Sequence, residues 1–278
     1  MARIMAIAMQ KGGVGKTTTT INLSAGLAAL DYRVLAIDLD PQGNLTQHAG
    51  FDPEKLSPTI YDALKAEVNG LNSDLSTAIC KTKEGFDLLP SQPELSMIEL
   101  SLMNTLSRER VLSTVLEEVD DQYDFILIDC SPSLNLLVVN ALTASHSVII
   151  PIQTEYLPAR GALMVLSTIE TIRRKKLNQD LEVEGILLTM ADTRTIMTKD
   201  ILTAVDQQYS HGHHVFKAFI RRSIRFAESA VAGQSILAYD PSNPGAEAYR
   251  QVASEIAEKT ASREKTAAGQ SEEINSHG

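Results

Sequence analysis

The chain has no tryptophan and few aromatic residues of any kind, 5% in all, so it has little with which to stack nucleic-acid bases. Its two cysteines, Cys80 and Cys130, are too few and too far apart for a disulfide framework or a zinc site of familiar spacing. Two unremarkable thiols in a reducing compartment are expected. No apolar run approaches the roughly 20 residues of a membrane-spanning helix. The first residues lead straight into a strand pattern with no cleavable signal, so a cytoplasmic protein with no membrane attachment is expected. Basic residues are outnumbered, 25 Lys and Arg against 35 Asp and Glu, for a formal net charge of −10. A surface coated in cations is excluded, and any contact with nucleic acid has to come from a local patch.

Against these absences stands an ordinary globular composition, 44% apolar and 22% charged over 278 residues. That length buries a substantial core, and one α/β domain over residues 1–261 is the simplest organisation. Residues 262–278 are polar and apolar-poor, and are expected to form a disordered tail. Buried strands are predicted at 4–9, 34–37, 86–89, 123–129, 148–152 and 185–190, with a weak one at 215–216. Helical spacing is predicted from residue 18 onward, at 59–67, through 94–119, and at 135–144, 160–176, 198–209, 223–232 and 244–259. Strand and helix alternate, which predicts a doubly wound, mainly parallel sheet flanked by helices.

The first predicted strand runs into residues 10–20, Gln-Lys-Gly-Gly-Val-Gly-Lys-Thr-Thr-Thr-Thr. This is a narrow variant of the phosphate loop, with strand, glycine-rich turn and helix in the required order. Gly12, Gly13, Val14 and Gly15 let successive N–H groups face phosphate oxygens, and the helix adds its positive end. Lys16 is then placed for the β- and γ-phosphates, Thr17 for Mg²⁺ and Thr18 for the helix mouth. Lys11 is an extra lysine, which either stays solvated or reaches phosphates bound by another subunit. Three carboxylates lie at predicted strand ends, where open α/β sheets place ligands: Asp38, Asp40 and Asp129. Asp129 is expected in the Mg²⁺ shell. Asp38 and Asp40 are expected to point in different directions, Asp38 toward the metal and Asp40 toward the γ-phosphate, where it orients the attacking water.

At these residues the sequence resembles the ParA/Soj family of deviant P-loop ATPases. The resemblance rests on K-G-G-V-G-K-T-T-T at 11–19, D-L-D-P-Q-G-N at 38–44, Y-D-F-I-L-I-D-C-S-P-S-L at 123–134 and Glu155-Tyr156. It continues through L-L-T-M-A-D-T-R-T at 187–195, R-R-S-I-R at 221–225 and Gly245 to Tyr249. It implies an ATP-dependent sandwich homodimer with Mg²⁺, in which Lys11 crosses to the partner's nucleotide, and non-specific binding of duplex DNA by the ATP dimer. A ParB-type centromere-binding partner then stimulates hydrolysis, and the protein is nucleoid-associated. The family's D-x-P-P reads Asp129-Cys130-Ser131-Pro132 here, which alters a switch loop while keeping its carboxylate. Its P-R-N-V-R segment reads Arg221-Arg222-Ser223-Ile224-Arg225, so Arg221 and Ser223 stand where relatives contact adenine.

The cations Arg194, Lys199, Lys217, Arg221, Arg222 and Arg225 are candidates for a DNA patch, with Arg194 and Arg222 matching DNA-contacting arginines of relatives. Arg173 to Lys176 form a second basic group, read either as DNA-facing or as complementing a helix C-terminal dipole. A MinD-like ATPase acting on a membrane or protein assembly is the alternative, and it needs a basic amphipathic C-terminal helix. The acidic Gln270-Ser271-Glu272-Glu273 does not supply one. An iron–sulfur reductase needs cluster cysteines that Cys80 and Cys130 do not match. A small-molecule kinase on the same fold would reveal itself by substrate-dependent ADP release.

Overall fold

The computed structural model describes residues 1–154, 159–191 and 212–276. A seven-stranded sheet forms the centre: β1 (Arg3–Ile7), β2 (Val34–Leu39), β3 (Cys80–Lys81), β4 (Asp87–Leu89), β5 (Phe125–Cys130), β6 (Ser147–Gln153) and β7 (Glu182–Thr189). Their order is β3-β4-β2-β5-β1-β6-β7. Every pairing is parallel except the short β3, which runs antiparallel along β4 at the edge. The inner strands are unbroken apolar runs because helices cover both of their faces. In β5, Phe-Ile-Leu-Ile-Asp-Cys is buried at all six positions.

Among the described residues the α-helices are α1 (Lys16–Ala28), α2 (Asn44–His48), α3 (Ile60–Val68), α4 (Leu95–Met103), α5 (Val111–Leu116), α6 (Leu136–Ala144) and α7 (Ala159–Arg174), followed by α8 (Arg225–Val231), α9 (Ile236–Tyr239) and α10 (Pro244–Ser276). One core lies between the sheet and α3 to α7; the other lies between the sheet, α1 and α10. Gly26 permits the close approach of α1 to α10, since a Cβ there would stand 3.0 Å from the Ala253 Cβ.

Three expectations change. The helical run predicted through 94–119 is two helices, because Ser107 takes a left-handed φ of 53° between them. The weak strand at 215–216 is a line of isolated parallel bridges beside β7, Ile186 to Val215 and Ala191 to Arg221. The last helix continues through Ser276, most of the segment expected as a disordered tail, and residues such as Ala261, Glu264, Lys265 and Ala267 favour helix. The helix predicted at 198–209, Glu155, Tyr156, Arg194 and Lys199 lie outside the described residues. Among the described residues no helix is long and apolar enough to cross a membrane.

At the amino ends of the strands the sheet is tied to the last helix by buried charge. Glu184 accepts from Arg3, from Ser147 Oγ at 2.7 Å and from Lys259 Nζ at 2.7 Å.

Candidate functional site

The site is built at the carboxyl ends of the parallel strands, around central β1, where connections leave to both sides of the sheet. The chain leaves β1 into the glycine loop, and α1 starts at Lys16. Gly13 and Gly15 have φ of 71° and 88°, conformations that side-chain-bearing residues rarely adopt. Gly12 and Gly13 face open space, with nothing within 4 Å of a Cβ built on either. A concave backbone turn at a helix N-terminus is the geometry that cradles phosphate.

Two residues at strand ends hold this loop from behind. Gln153, closing β6, accepts from Lys11 Nζ at 2.8 Å and donates to the Gly13 carbonyl at 2.7 Å. Thr189, closing β7, donates to the Val14 carbonyl at 2.9 Å. Neither stood out in the sequence. Their position at the carboxyl ends of two predicted strands was the available signal.

The two loop lysines are turned in opposite senses. Lys16 is 7% exposed and its Nζ donates to the Lys11 carbonyl at 3.2 Å. Burial pulls its ammonium below the usual lysine range, and Asp129, Cys130 and Asp40 oppose that pull. Lys11 is exposed and does not line the cleft of its own chain.

Asp129, the penultimate residue of β5, is fully buried and accepts from Thr17 Oγ1 at 2.7 Å and Thr20 Oγ1 at 3.4 Å. Burial drives its carboxyl well above the normal range, and neighbouring Asp38 adds to the rise. Asp38, its register partner on β2, is likewise pushed up to about 6 by burial, although the Thr46 hydrogen bonds act against it. A buried acidic pair beside a threonine hydroxyl, with Lys16 as the nearby cation, is a hard-oxygen environment that fits Mg²⁺.

The two second-strand carboxylates do separate, for a different reason from the one expected. Residues two apart on a strand share a face; Asp38 and Asp40 diverge because β2 ends at Leu39. Asp38 turns inward and accepts from the Thr46 N–H at 2.8 Å, Thr46 Oγ1 at 2.7 Å and the Asp40 N–H at 3.2 Å. Its oxygens are therefore engaged by these donors; neither Asp38 nor Asp129 is in the cleft lining, and Asp129 is joined to it through Thr17. Asp40 accepts from the Gln42 N–H at 3.0 Å and does line the cleft. Ser91 completes the support, donating from Oγ to the Asp40 carbonyl and from N–H to Thr46 Oγ1.

The cleft has a volume of about 570 Å³. Its floor is the loop from Gly12 to Thr18, and its far wall includes His48, Met190 and Val231. His48 Nε2 contacts the Gln234 carbonyl at 3.1 Å, and burial lowers its imidazole to about 4, so the ring is neutral and donates. Arg221 and Ser223 are not in the lining. Arg221 lies 5.8 Å from the Phe219 ring centroid, and Ser223 Oγ accepts from the Arg225 N–H.

The expected cationic patch is laced with carboxylates. Arg225 pairs with Glu228 at 2.8 Å and approaches Asp240 at 3.7 Å. Lys217 shares a shallow depression with Glu247, Glu255 and Glu258. Arg222 donates its backbone N–H to Ala191. Clustering of cations in sequence did not disclose the acids folded against them.

The model of a family described as "AAA domain" matches residues 2–183. The sporulation initiation inhibitor protein Soj of Bacillus subtilis is 42% identical over 92% of this chain and 99% of its own length. The chromosome partitioning protein ParA of Caulobacter vibrioides is 39% identical over 96% of this chain and 98% of its own. Among solved structures, cobyrinic acid a,c-diamide synthase from Mycobacterium smegmatis with bound ADP and magnesium has a TM-score of 0.79 at 37% identity, covering 91% of this chain and 93% of that one. The likeness to the Soj and ParA relatives extends over 92% and 96% of the chain, and the chain belongs to the ParA/Soj family of P-loop ATPases.

Proposed function

We propose that this chain is an Mg²⁺-dependent ATP hydrolase that dimerises on ATP, binds duplex DNA non-specifically and, with a ParB-type centromere-binding partner, moves chromosome or plasmid DNA over the nucleoid. The observation that carries this reading is the division of labour between the two lysines. Lys16 is turned into the cleft, while Lys11 stands outside it on the surface, held by Gln153. A cation so placed serves a nucleotide held by a second copy.

In the bound state the N–H groups of Gly12 to Thr18 and Lys16 hold the phosphates, and Thr17 and Asp129 are the residues that hold Mg²⁺, with Asp38 shaping the field behind them. When bound, the metal would neutralise charge developing on the phosphates. Asp40, at the cleft wall, orients the attacking water. Relatives named for chromosome partitioning, and a structural neighbour holding ADP and magnesium, support this assignment. The membrane alternative draws no support from the last helix, whose Lys259 and Arg263 are engaged by Glu184 and Glu182. With Lys217 and Arg225 also beside acids, a single copy makes a poor DNA surface; Arg194, Lys217, Arg222 and Arg225 act from both copies of the dimer.

The test is binding of the purified protein to a short duplex of arbitrary sequence at fixed moderate salt, with Mg·ATP and with Mg·ADP. Binding with ATP alone is expected. No binding in either state sinks the DNA-partitioning assignment and leaves a protein or membrane cargo on the same ATPase.

A further inference from the structure

A second cleft, of about 590 Å³, lies where the start of β1, the α6–β6 turn, the α7–β7 connection and the last helix meet. It sits at the amino ends of the strands, opposite the nucleotide cleft. Arg3, Arg110, Lys176 and Arg263 line it against Asp180 and Glu182, a positive balance in a chain whose total is −10.

The hydrogen bonds separate the committed cations from the available ones. Arg3 is engaged by Glu184, and Arg263 Nη2 by Glu182. Arg110 uses only Nη2 among the described residues, donating to the Lys176 and Leu177 carbonyls at 3.2 and 3.0 Å, which fixes the guanidinium at the start of the α7–β7 connection. Among the described residues nothing accepts from Arg110 Nε or Nη1, or from Lys176 Nζ. His146, also in the lining, accepts from the Ile4 N–H at its Nδ1, 3.0 Å away, so the proton of the neutral ring sits on Nε2. Among the described residues, the Nε and Nη1 positions of an anchored guanidinium, an ammonium and an imidazole N–H therefore share one cleft without acceptors. Apart from that imidazole the lining has no aromatic ring on which a base could stack.

We propose that this cleft binds a phosphate group, either free or carried on a nucleic-acid backbone. Arg110 supplies a planar fork suited to phosphate oxygens and Lys176 a point charge. Arg174 and Lys175, exposed beside the mouth, extend the positive field, which gives the basic run at the end of α7 a role beyond complementing the helix dipole.

Mg·ADP at saturation occupies the nucleotide cleft, and the phosphate binding that the variants below remove reports the second one. Inorganic phosphate is titrated into that complex by ³¹P line broadening, and a short duplex is titrated in parallel by fluorescence anisotropy. Loss of about five-fold in affinity for Lys176→Gln, and more for Arg110→Gln with Lys176→Gln, is expected in at least one arm. In the duplex arm the slope of log affinity against log salt falls by about 1 per cation removed. Lys176→Gln touches no side-chain bond, so it stays informative even if the double variant is less stable. Phosphate binding assigns a free anion; duplex binding alone assigns the nucleic-acid backbone. Binding in neither arm, or binding that both variants leave unchanged, overturns the proposal. ATP-gated DNA binding can fail while this site holds, and the reverse.

Discussion

A few side chains at strand ends carry opposing energetic demands. Asp38 and Asp129 are buried acids in register with one another, each less willing to ionise than a carboxylate in water. Thr46 relieves Asp38 with two hydrogen bonds, and its hydroxyl also accepts from Ser91. Thr46→Val removes the hydroxyl and leaves two buried polar groups short of partners, at an expected cost of about 2–3 kcal/mol in urea unfolding without nucleotide. Wild-type stability in that variant would remove Thr46 from the support of the acidic pair. Asp40 is different, since among the described residues its carboxylate oxygens receive only the Gln42 N–H, and the residue lines the cleft. Asp40→Ala is expected to keep ATP binding and lower turnover by about 10²-fold. Normal single-turnover hydrolysis would show that another group orients the water. Asp40 was legible as the end of an apolar strand; Thr46 and Ser91 were not, because polar residues in polar loops carry no periodicity.

Short elements hold the cleft wall in place. The segment from Asp40 to Gly50 is pinned at Thr46, at His48 and at a backbone contact in which Gly50 meets Gly233. Gly233 has φ of 66°, and a Cβ on it would stand 2.8 Å from the Gly50 Cα. Gly70 is a natural control, with φ of 65° and open space around it. Gly233→Ala is expected to lower the melting temperature by several degrees more than Gly70→Ala, a difference of about 1–2 kcal/mol. Equal shifts in the two variants would mean that the contact is not held in solution. Helix α4 shows the limit of reading elements from spacing. Leu95, Ile98 and Leu102 mark its buried face, but nothing apolar marks the left-handed turn at Ser107 that separates it from α5.

Across the whole molecule, the amino ends of the strands are closed by a network that joins β1, β6, β7 and the last helix. Burial alone would raise the Glu184 carboxyl, but Lys259, Arg3 and Ser147 hold it down to about 2. A depressed acid stabilises the fold above its unfolded value and loses that contribution as pH falls toward the folded one. The stability gap between wild type and Glu184→Gln is therefore expected to be largest above pH 4.5 and to shrink as pH falls toward about 2. Near neutral pH the gap is about 3 kcal/mol, the cost of breaking a buried pair, and chemical denaturation at several pH values measures it. A gap independent of pH would mean that Glu184 is not ionised in the fold. The sequence determined the alternation of strand and helix, the parallel sheet, the glycine loop and the carboxylates at strand ends, because these depend on local periodicity and on motifs a few residues long. Tertiary structure alone decided that Asp38 is held by Thr46, that Gln153 and Thr189 brace the loop, that Arg225 and Lys217 lie against acids, and that Arg110 and Lys176 share a cleft. Each of these joins residues distant in the chain, and their partners are set by where whole elements pack.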